Sequence, residues 1–386
     1  MKILIADYHI GTQIWQKAII DNLNDNHIVN IQSLSGHSRY IGGETKNKII
    51  LKIGAMFGGP TGSWNDDKTK IIKELFTDDE LKETFDHDIV ISSFPPAMFE
   101  AYQPFNQMKI IINMGHRFHL NCYPEELNNN YINKLQNLSK SDNHIVASMS
   151  KYDCEYLKHY TDIDAVPLYV SCFHLSDQNH YKPTSNTILI GPAHCQRIFP
   201  FTSIEEMNKL SSDWASKHKI PRKLDFAHLK SQYSEYNFSN LGLKLGNHKA
   251  IVIFPYSVFS MSMIEIYESN IPFFVPSIDI LIQNKAMTDR VMFPIYCTEN
   301  EMSKIDVPHK NSPHKYSPNS YNIDDEKYWL QFCYFYQQKN VIIWTSPEDL
   351  IKKLYTLNLK KISNKMYAEN MQNRKIQLQN WMDILF

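Results

Sequence analysis

The 386-residue chain is short of several things, and each shortage removes a class of protein. It has almost no net charge: 40 Lys and Arg stand against 41 Asp and Glu. That excludes a globally basic nucleic-acid coat and an acidic solvating tail, though not a local basic groove. Its cysteines, Cys122, Cys154, Cys172, Cys195, Cys297 and Cys333, are scattered singly with no CxxC pair. Reduced thiols in a cytoplasmic setting are therefore expected, rather than a disulfide framework or a zinc cluster. No apolar run reaches the ~18 residues of a membrane span. The opening MKILIADYHI enters a strand pattern directly, without the basic and long apolar regions of a secretory signal. No transmembrane segment is expected, and no internal repeat is visible. Glycine is scarce, and four of the twelve fall in Gly54–Gly62, ahead of Trp64. No Lys-Ser or Lys-Thr completes a P-loop there, so the segment reads as a mobile, aromatic-bearing acceptor loop.

What is present is an alternation of short apolar runs with longer helical patterns, the signature of parallel α/β sheets. The first half predicts strands at Lys2–Ala6, His27–Gln32, Asp88–Phe94, Lys109–Met114, His144–Met149 and Val166–Val170. Between them, Gln13–Leu23 and Lys68–Phe85 carry apolar residues at helical spacing. A polar stretch, His174–Asn186, reads as a linker. The alternation then restarts with strands at Thr187–Ile190, Lys249–Phe254, Pro272–Val275 and Val341–Trp344. Ser346-Pro347-Glu348-Asp349 is a strong helix start, and the last ~25 residues form an amphipathic helix. Ser303–Asp325 is rich in Pro, His, Asn and Ser and reads as a long functional or mobile loop.

The expected organisation is α/β, with two Rossmann-like, doubly wound domains. Residues 1–175 form the first and 187–358 the second, with a closing helix over 359–386 packing back on the first. Open sheets of this kind bind ligands beyond the carboxyl ends of their strands, so strand-end residues are the leading site candidates.

The most informative segment is AIVIFPYSVFSMSMIEIYESNIPFFVPS, Ala250–Ser277. A buried strand ends at Pro255-Tyr256, hydroxyls follow at Ser257, Ser260 and Ser262, and a helix carries Glu265. A carboxylate there suits ribose hydroxyls, and the helix start with its hydroxyls suits a phosphate. Glu268, one turn on, reads as structural or exposed. In Ile188–His194, Gly191 permits close backbone approach, and His194 or Arg197 could face a diphosphate; an ordinary turn is the alternative. After Lys109–Met114 come His116, Arg117 and His119. A histidine can take a proton from an acceptor hydroxyl and an arginine can hold an anion, while a plain turn carries equal weight. A zinc site at His116 and His119 lacks further ligands at a recognisable spacing. Asp7 and His9 follow the first strand as second-tier candidates. Asp86-His87-Asp88 matches an Asp-x-Asp metal motif in form only, lying at a strand's amino end; no metal is assigned. Ser148-Met149-Ser150 closes the strand His144–Met149 and reads as the cap of a helix starting near Lys151, with a cleft role as the alternative. The aromatics Tyr328, Trp329, Phe332 and Tyr334–Tyr336 read as core, and no basic stripe accompanies them, so no nucleic-acid partner is expected.

On Glu265, seven residues before Pro272, the chain resembles the donor half of GT-B-fold glycosyltransferases. These carry a Pro/Ser-rich loop, then Glu, then a tight turn before the next strand. IINMGHRFHL, IVIFPYSVFSMSM, SPHKYSPNS and YWLQFCYFY are similar to a divergent group, like families 4 and 1, of algae and large DNA viruses. The retaining branch often has a second Glu where Ser257 stands here, which leaves the stereochemistry open. Asn270 takes the place of the family's turn glycine, which the left-handed tolerance of Asn permits.

The resemblance implies a metal-independent hexosyl- or pentosyltransferase. It would move a sugar from a nucleotide-sugar donor, such as a UDP- or GDP-sugar, to a glycan or other small hydroxyl acceptor in an interdomain cleft. No further cofactor is implied. Glu265, Gly191, Arg197, His194, Tyr256, Ser257, Ser260 and Ser262 would bind the donor, and His116, Arg117 and His9 would serve catalysis. A nucleotide-sugar epimerase on the same fold and a catalytically silent binding or assembly protein are the alternatives.

Overall fold

The computed structural model describes residues 1–23, 28–34, 47–59, 62–105, 109–115, 125–175, 177–191, 203–229, 241–292 and 306–386. By its internal contacts the chain divides into two units. The first comprises Met1–Val170, Tyr296–Asn319 and Gln377–Phe386, and the second comprises Ser171–Ile295 and Ser320–Ile376.

The first unit is built on β1 (Lys2–Asp7), β2 (Ile28–Ser33), β3 (Ile89–Ser92), β4 (Lys109–Met114), β5 (His144–Ser148) and β6 (Val166–Pro167). All pair in parallel, in the order β2-β1-β3-β4-β5-β6. Ile3, Leu4, Ile5, Val90, Ile91, Ile110, Ile111 and Ile112 are buried irrespective of which face they point to. A sheet covered on both faces needs such unbroken apolar runs, and that is why they were legible.

The second unit holds β7 (Thr187–Gly191), β8 (Asp225–His228), β9 (Ala250–Ile253), β10 (Phe273–Pro276) and β11 (Ile342–Trp344), again parallel, in the order β11-β10-β9-β7-β8. The two sheets share one plan. In each, the second strand pairs on one side of the first and the third returns to the other side. The order therefore reverses between β1 and β3, and between β7 and β9. A doubly wound sheet leaves its ligand crevice at that reversal.

Among the described residues, ten of the eleven strands fall where the apolar runs predicted them; β8 does not. It is a short edge strand with only Phe226 fully buried, and its pairing with β7 rather than its pattern makes it a strand. Two other expectations are corrected. Lys68–Phe85 is two helices, Asp66–Leu75 and Asp78–Thr84, separated where Thr77 and Glu80 form a reciprocal capping box. Gly54–Gly62 does not begin as a loop: Gly54 lies in the helix Lys48–Phe57, and Gly58 ends it at φ 94°. Trp64 is buried and donates to Thr69 Oγ1 at 2.9 Å, so it presents no exposed aromatic platform. Within the stretch read as a linker, Tyr181 is buried and donates to Lys249 O at 2.7 Å, while Lys182 and Thr184 donate to Gly246 O and Asn247 O.

Other local rules hold. Ser346 caps the helix Pro347–Thr356 by accepting from Asp349 N, and Asp349 accepts from Thr345 N. Ser150 caps Lys151–Thr161. The last helix runs Leu359–Leu385 with Met366, Trp381 and Leu385 buried, while Ile376 is exposed. Residues 306–319 form no regular element, yet they are bonded to Lys151–Thr161 through Tyr160 to Asp306 (2.6 Å), His159 to Ser312 (2.7 Å) and His314 to Glu155 (3.0 Å). Trp329, Tyr334 and Phe335 are core residues.

Candidate functional site

In the second unit the reversal brings together the carboxyl ends of β7 and β9. Gly191 ends β7, pairs with Ile253, and accepts from Phe254 N at 3.0 Å. Beyond β9, Pro255, Tyr256 and Ser257 lead to the helix Met261–Glu268. Ser260 caps this helix, its Oγ accepting from Met263 N at 3.3 Å. Ser262 Oγ lies 3.3 Å from Ser260 Oγ and 3.2 Å from the Tyr256 hydroxyl. Three of the expected donor residues thus form one chain of hydroxyls at a helix start, an arrangement suited to an anion. Ser257 is half-buried and makes no side-chain hydrogen bond among the described residues.

Glu265 stands on the second turn of the same helix and is 2% exposed. His174 Nε2 donates to its Oε1 at 3.1 Å. Oε2 has no hydrogen-bond partner among the described residues. Burial pushes this carboxyl up from its ordinary range, and the bond from His174 opposes the shift. A buried carboxylate with one oxygen engaged can still accept from a ligand hydroxyl.

Glu268 is buried rather than exposed, so of its two readings the structural one holds. Its Oε2 accepts from Cys172 N at 2.9 Å and lies 3.5 Å from Arg374 Nε. Arg374 Nη2 in turn donates to Cys172 O at 2.9 Å. Burial raises the Glu268 carboxyl, while the guanidinium charge and the Cys172 N–H hold it down. The turn after these residues adopts the conformation expected of it: Asn270 has φ 62° and its Oδ1 accepts from Asn370 Nδ2 at 2.8 Å.

In the first unit the reversal joins the ends of β1 and β3. Asp7 is buried there, and its Oδ2 accepts from Phe94 N at 2.8 Å while Oδ1 accepts from His9 N at 3.2 Å. The Thr12 hydroxyl lies 3.2 Å from Oδ2 but donates over 2.6 Å to His9 O. One hydroxyl has one proton, so the Thr12–Asp7 contact is satisfied when Asp7 itself carries a proton. Burial, the dominant cause, pushes the Asp7 carboxyl up to about 8 in spite of its donors. His9 sits at the head of the helix Ile10–Asp21, its ring edge against Phe94 at 5.4 Å between centroids.

His116, Arg117, His119, His194 and Arg197 lie outside the described residues. Asp86 and Asp88 are engaged at the start of β1, Asp86 pairing with Lys2 Nζ at 2.5 Å and Asp88 accepting from Lys2 N at 2.7 Å. His174, Cys172 and Arg374 escaped the sequence reading. Their partners are 91 to 202 residues away, and no spacing rule reaches that far. The only signal was an isolated histidine at the head of a polar stretch.

No protein-family description matches the chain, and no curated protein does. Solved structures similar to it over most of its length include the glycosyltransferase VinC in complex with DTDP, at 10% identity and TM-score 0.40, covering 98% of this chain and 100% of that one. Another is the glycosyltransferase SnogD from Streptomyces nogalater, at 10% identity and TM-score 0.40, covering 98% and 97%. A third is the spinosyn forosaminyltransferase SpnP, at 10% identity and TM-score 0.34, covering 94% and 99%. At such scores these likenesses carry no weight for function.

Proposed function

We propose that this protein is a GT-B-type glycosyltransferase that moves a sugar from a nucleotide-sugar donor to a hydroxyl acceptor. The observation that carries the reading is Glu265: a buried carboxylate, seven residues before Pro272, with Oε2 left without a partner among the described residues. In this reading the second unit binds the nucleotide. Glu265 takes the ribose, Gly191 allows the backbone close to the diphosphate, and Tyr256, Ser257, Ser260 and Ser262 line the phosphate end with the helix start. Arg197 and His194 supply charge to the diphosphate, and no metal is assigned. The first unit binds the acceptor, a glycan or small hydroxyl compound, with His9 or His116 as base and Arg117 as anion holder. Rate enhancement would come mainly from positioning and from stabilising the leaving diphosphate.

The reading is tested by thermal stabilisation with UDP-, GDP- and dTDP-sugars. A donor present at about 100 times its Kd adds about 2.7 kcal/mol. Glu265→Ala should weaken nucleotide binding about 10–100-fold, with Asp279→Ala, an exposed carboxylate on a neighbouring helix, as the unaffected control. If no nucleotide sugar stabilises the protein, the reading is wrong. Acceptor-dependent release of the nucleoside diphosphate then separates transfer from binding without turnover.

A further inference from the structure

We propose that His174 is a positioning residue of the donor site: it holds Oε1 of Glu265 and thereby leaves Oε2 as the one oxygen presented to the nucleotide ribose. The inference rests on the assignment of Glu265 to the donor.

Three observations carry it. First, the contact is buried and directional: His174 Nε2 lies 3.1 Å from Oε1, with the two side chains 11% and 3% exposed. Burial pushes the Glu265 carboxyl up, and the bond from His174 opposes that shift. Second, the backbone carrying His174 is fixed independently of the bond. Cys172 N donates to Glu268 Oε2, and Cys172 O accepts from both Arg374 Nη2 and Leu175 N, each at 2.9 Å. The Arg374 guanidinium also lies 5.4 Å from the centre of the Phe173 ring. The short turn 171–175 is thus clamped between the helix Met261–Glu268 and the last helix, and the clamp aims the imidazole at Glu265. Third, Glu265 and Glu268 lie on one helix, both buried and both close to residues 172–174, yet only Glu268 is paired with a cation fixed in charge. The helix separates a carboxylate that holds the turn from one that the turn holds.

A consequence concerns the sugar of the nucleotide. With Oε1 taken, a second ribose hydroxyl would have to share that oxygen with His174. One hydroxyl therefore makes the main contact, and the other contributes little.

The experiment measures binding of UDP, 2′-deoxy-UDP and 3′-deoxy-UDP by calorimetry to the full chain and to Glu265→Ala, His174→Ala and His174→Gln. In the wild type, removal of one hydroxyl should weaken binding ~10-fold and removal of the other less than ~3-fold. His174→Ala should weaken UDP ~10-fold and make the two deoxy analogues equivalent, because the released carboxylate no longer presents a single oxygen. His174→Gln, which can still donate to Oε1, should recover affinity to within ~3-fold of wild type together with the hydroxyl preference. If Glu265→Ala weakens UDP but both His174 variants keep wild-type affinity and preference, the positioning role fails while the donor assignment survives. If neither UDP nor GDP, run with its own deoxy analogues in parallel, binds the wild type, or Glu265→Ala binds the nucleotide as well as wild type does, both fall.

Discussion

Asp7 and Glu265 invite comparison. Each is a buried carboxyl at the carboxyl edge of a parallel sheet with the same strand plan, and burial pushes both up from their usual range. Their surroundings differ. Asp7 receives N–H bonds from His9 and Phe94 on its two oxygens, with a hydroxyl contact besides, and so ties the end of β1 to the chain leaving β3. Glu265 has one oxygen held and one without a partner among the described residues. A raised carboxyl is therefore no guide to function by itself. What separates a tie from a binding group is how many of its lone pairs the protein has already used.

The sharpest way to break this comparison is at Glu268, which belongs with Asp7. Glu268→Ala should leave Arg374 as a buried, uncompensated charge and lower stability by about 3–5 kcal/mol, read by denaturant unfolding. A loss below about 1 kcal/mol would mean that the turn at Cys172 is held by something else. Next in size is Asp7→Ala, which strands two N–H donors and should cost about 2–4 kcal/mol.

Asp7→Asn probes the charge rather than the bonds. A carboxyl raised from about 3.9 in the unfolded chain to about 8 in the folded protein favours folding while it is protonated. That contribution is complete below about pH 4 and is lost as pH rises through about 8. The Tm of the Asn variant should therefore gain on the wild type between about pH 5 and about pH 9. A constant difference would place the Asp7 carboxyl in its ordinary range.

The smallest effect is expected at Glu265 itself. Without ligand, Glu265→Ala should change stability by no more than about 1 kcal/mol, since the bond lost from His174 is offset by removal of a buried carboxylate. A large loss would move Glu265 into the class of Asp7 and remove the main support for the donor assignment.

Much of this was legible in the chain, for reasons that particular residues make plain. IVIS of β3 and AIVI of β9 are continuous apolar runs because their sheets are covered on both faces. Ser346 and the segment Ser148–Ser150 announced helix starts because a cap acts on an N–H only two or three residues away. The capping box at Thr77 was equally readable, and the apolar spacing across it obscured the break between two helices. The strand character of DFAH in β8 was not readable, because an edge strand is made by its neighbour. Nor was Lys48–Phe57, where the glycines drew attention from the Asn47 cap and the run of isoleucines behind it.

The amino-acid sequence by itself determined the parallel sheets, the helix caps, the left-handed turn at Asn270 and the place of Glu265 in the first turns of the helix that follows a strand. Each depends on interactions among residues near in the chain, or on burial shared by a whole run. Only the tertiary structure decided which carboxylates are occupied. His174 reaches Glu265 across 91 residues, Cys172 reaches Glu268 across 96, and Phe94 reaches Asp7 across 87. A carboxylate's role is set by the donors that arrive at its oxygens, and in this protein those donors come from segments that meet only when the sheets assemble.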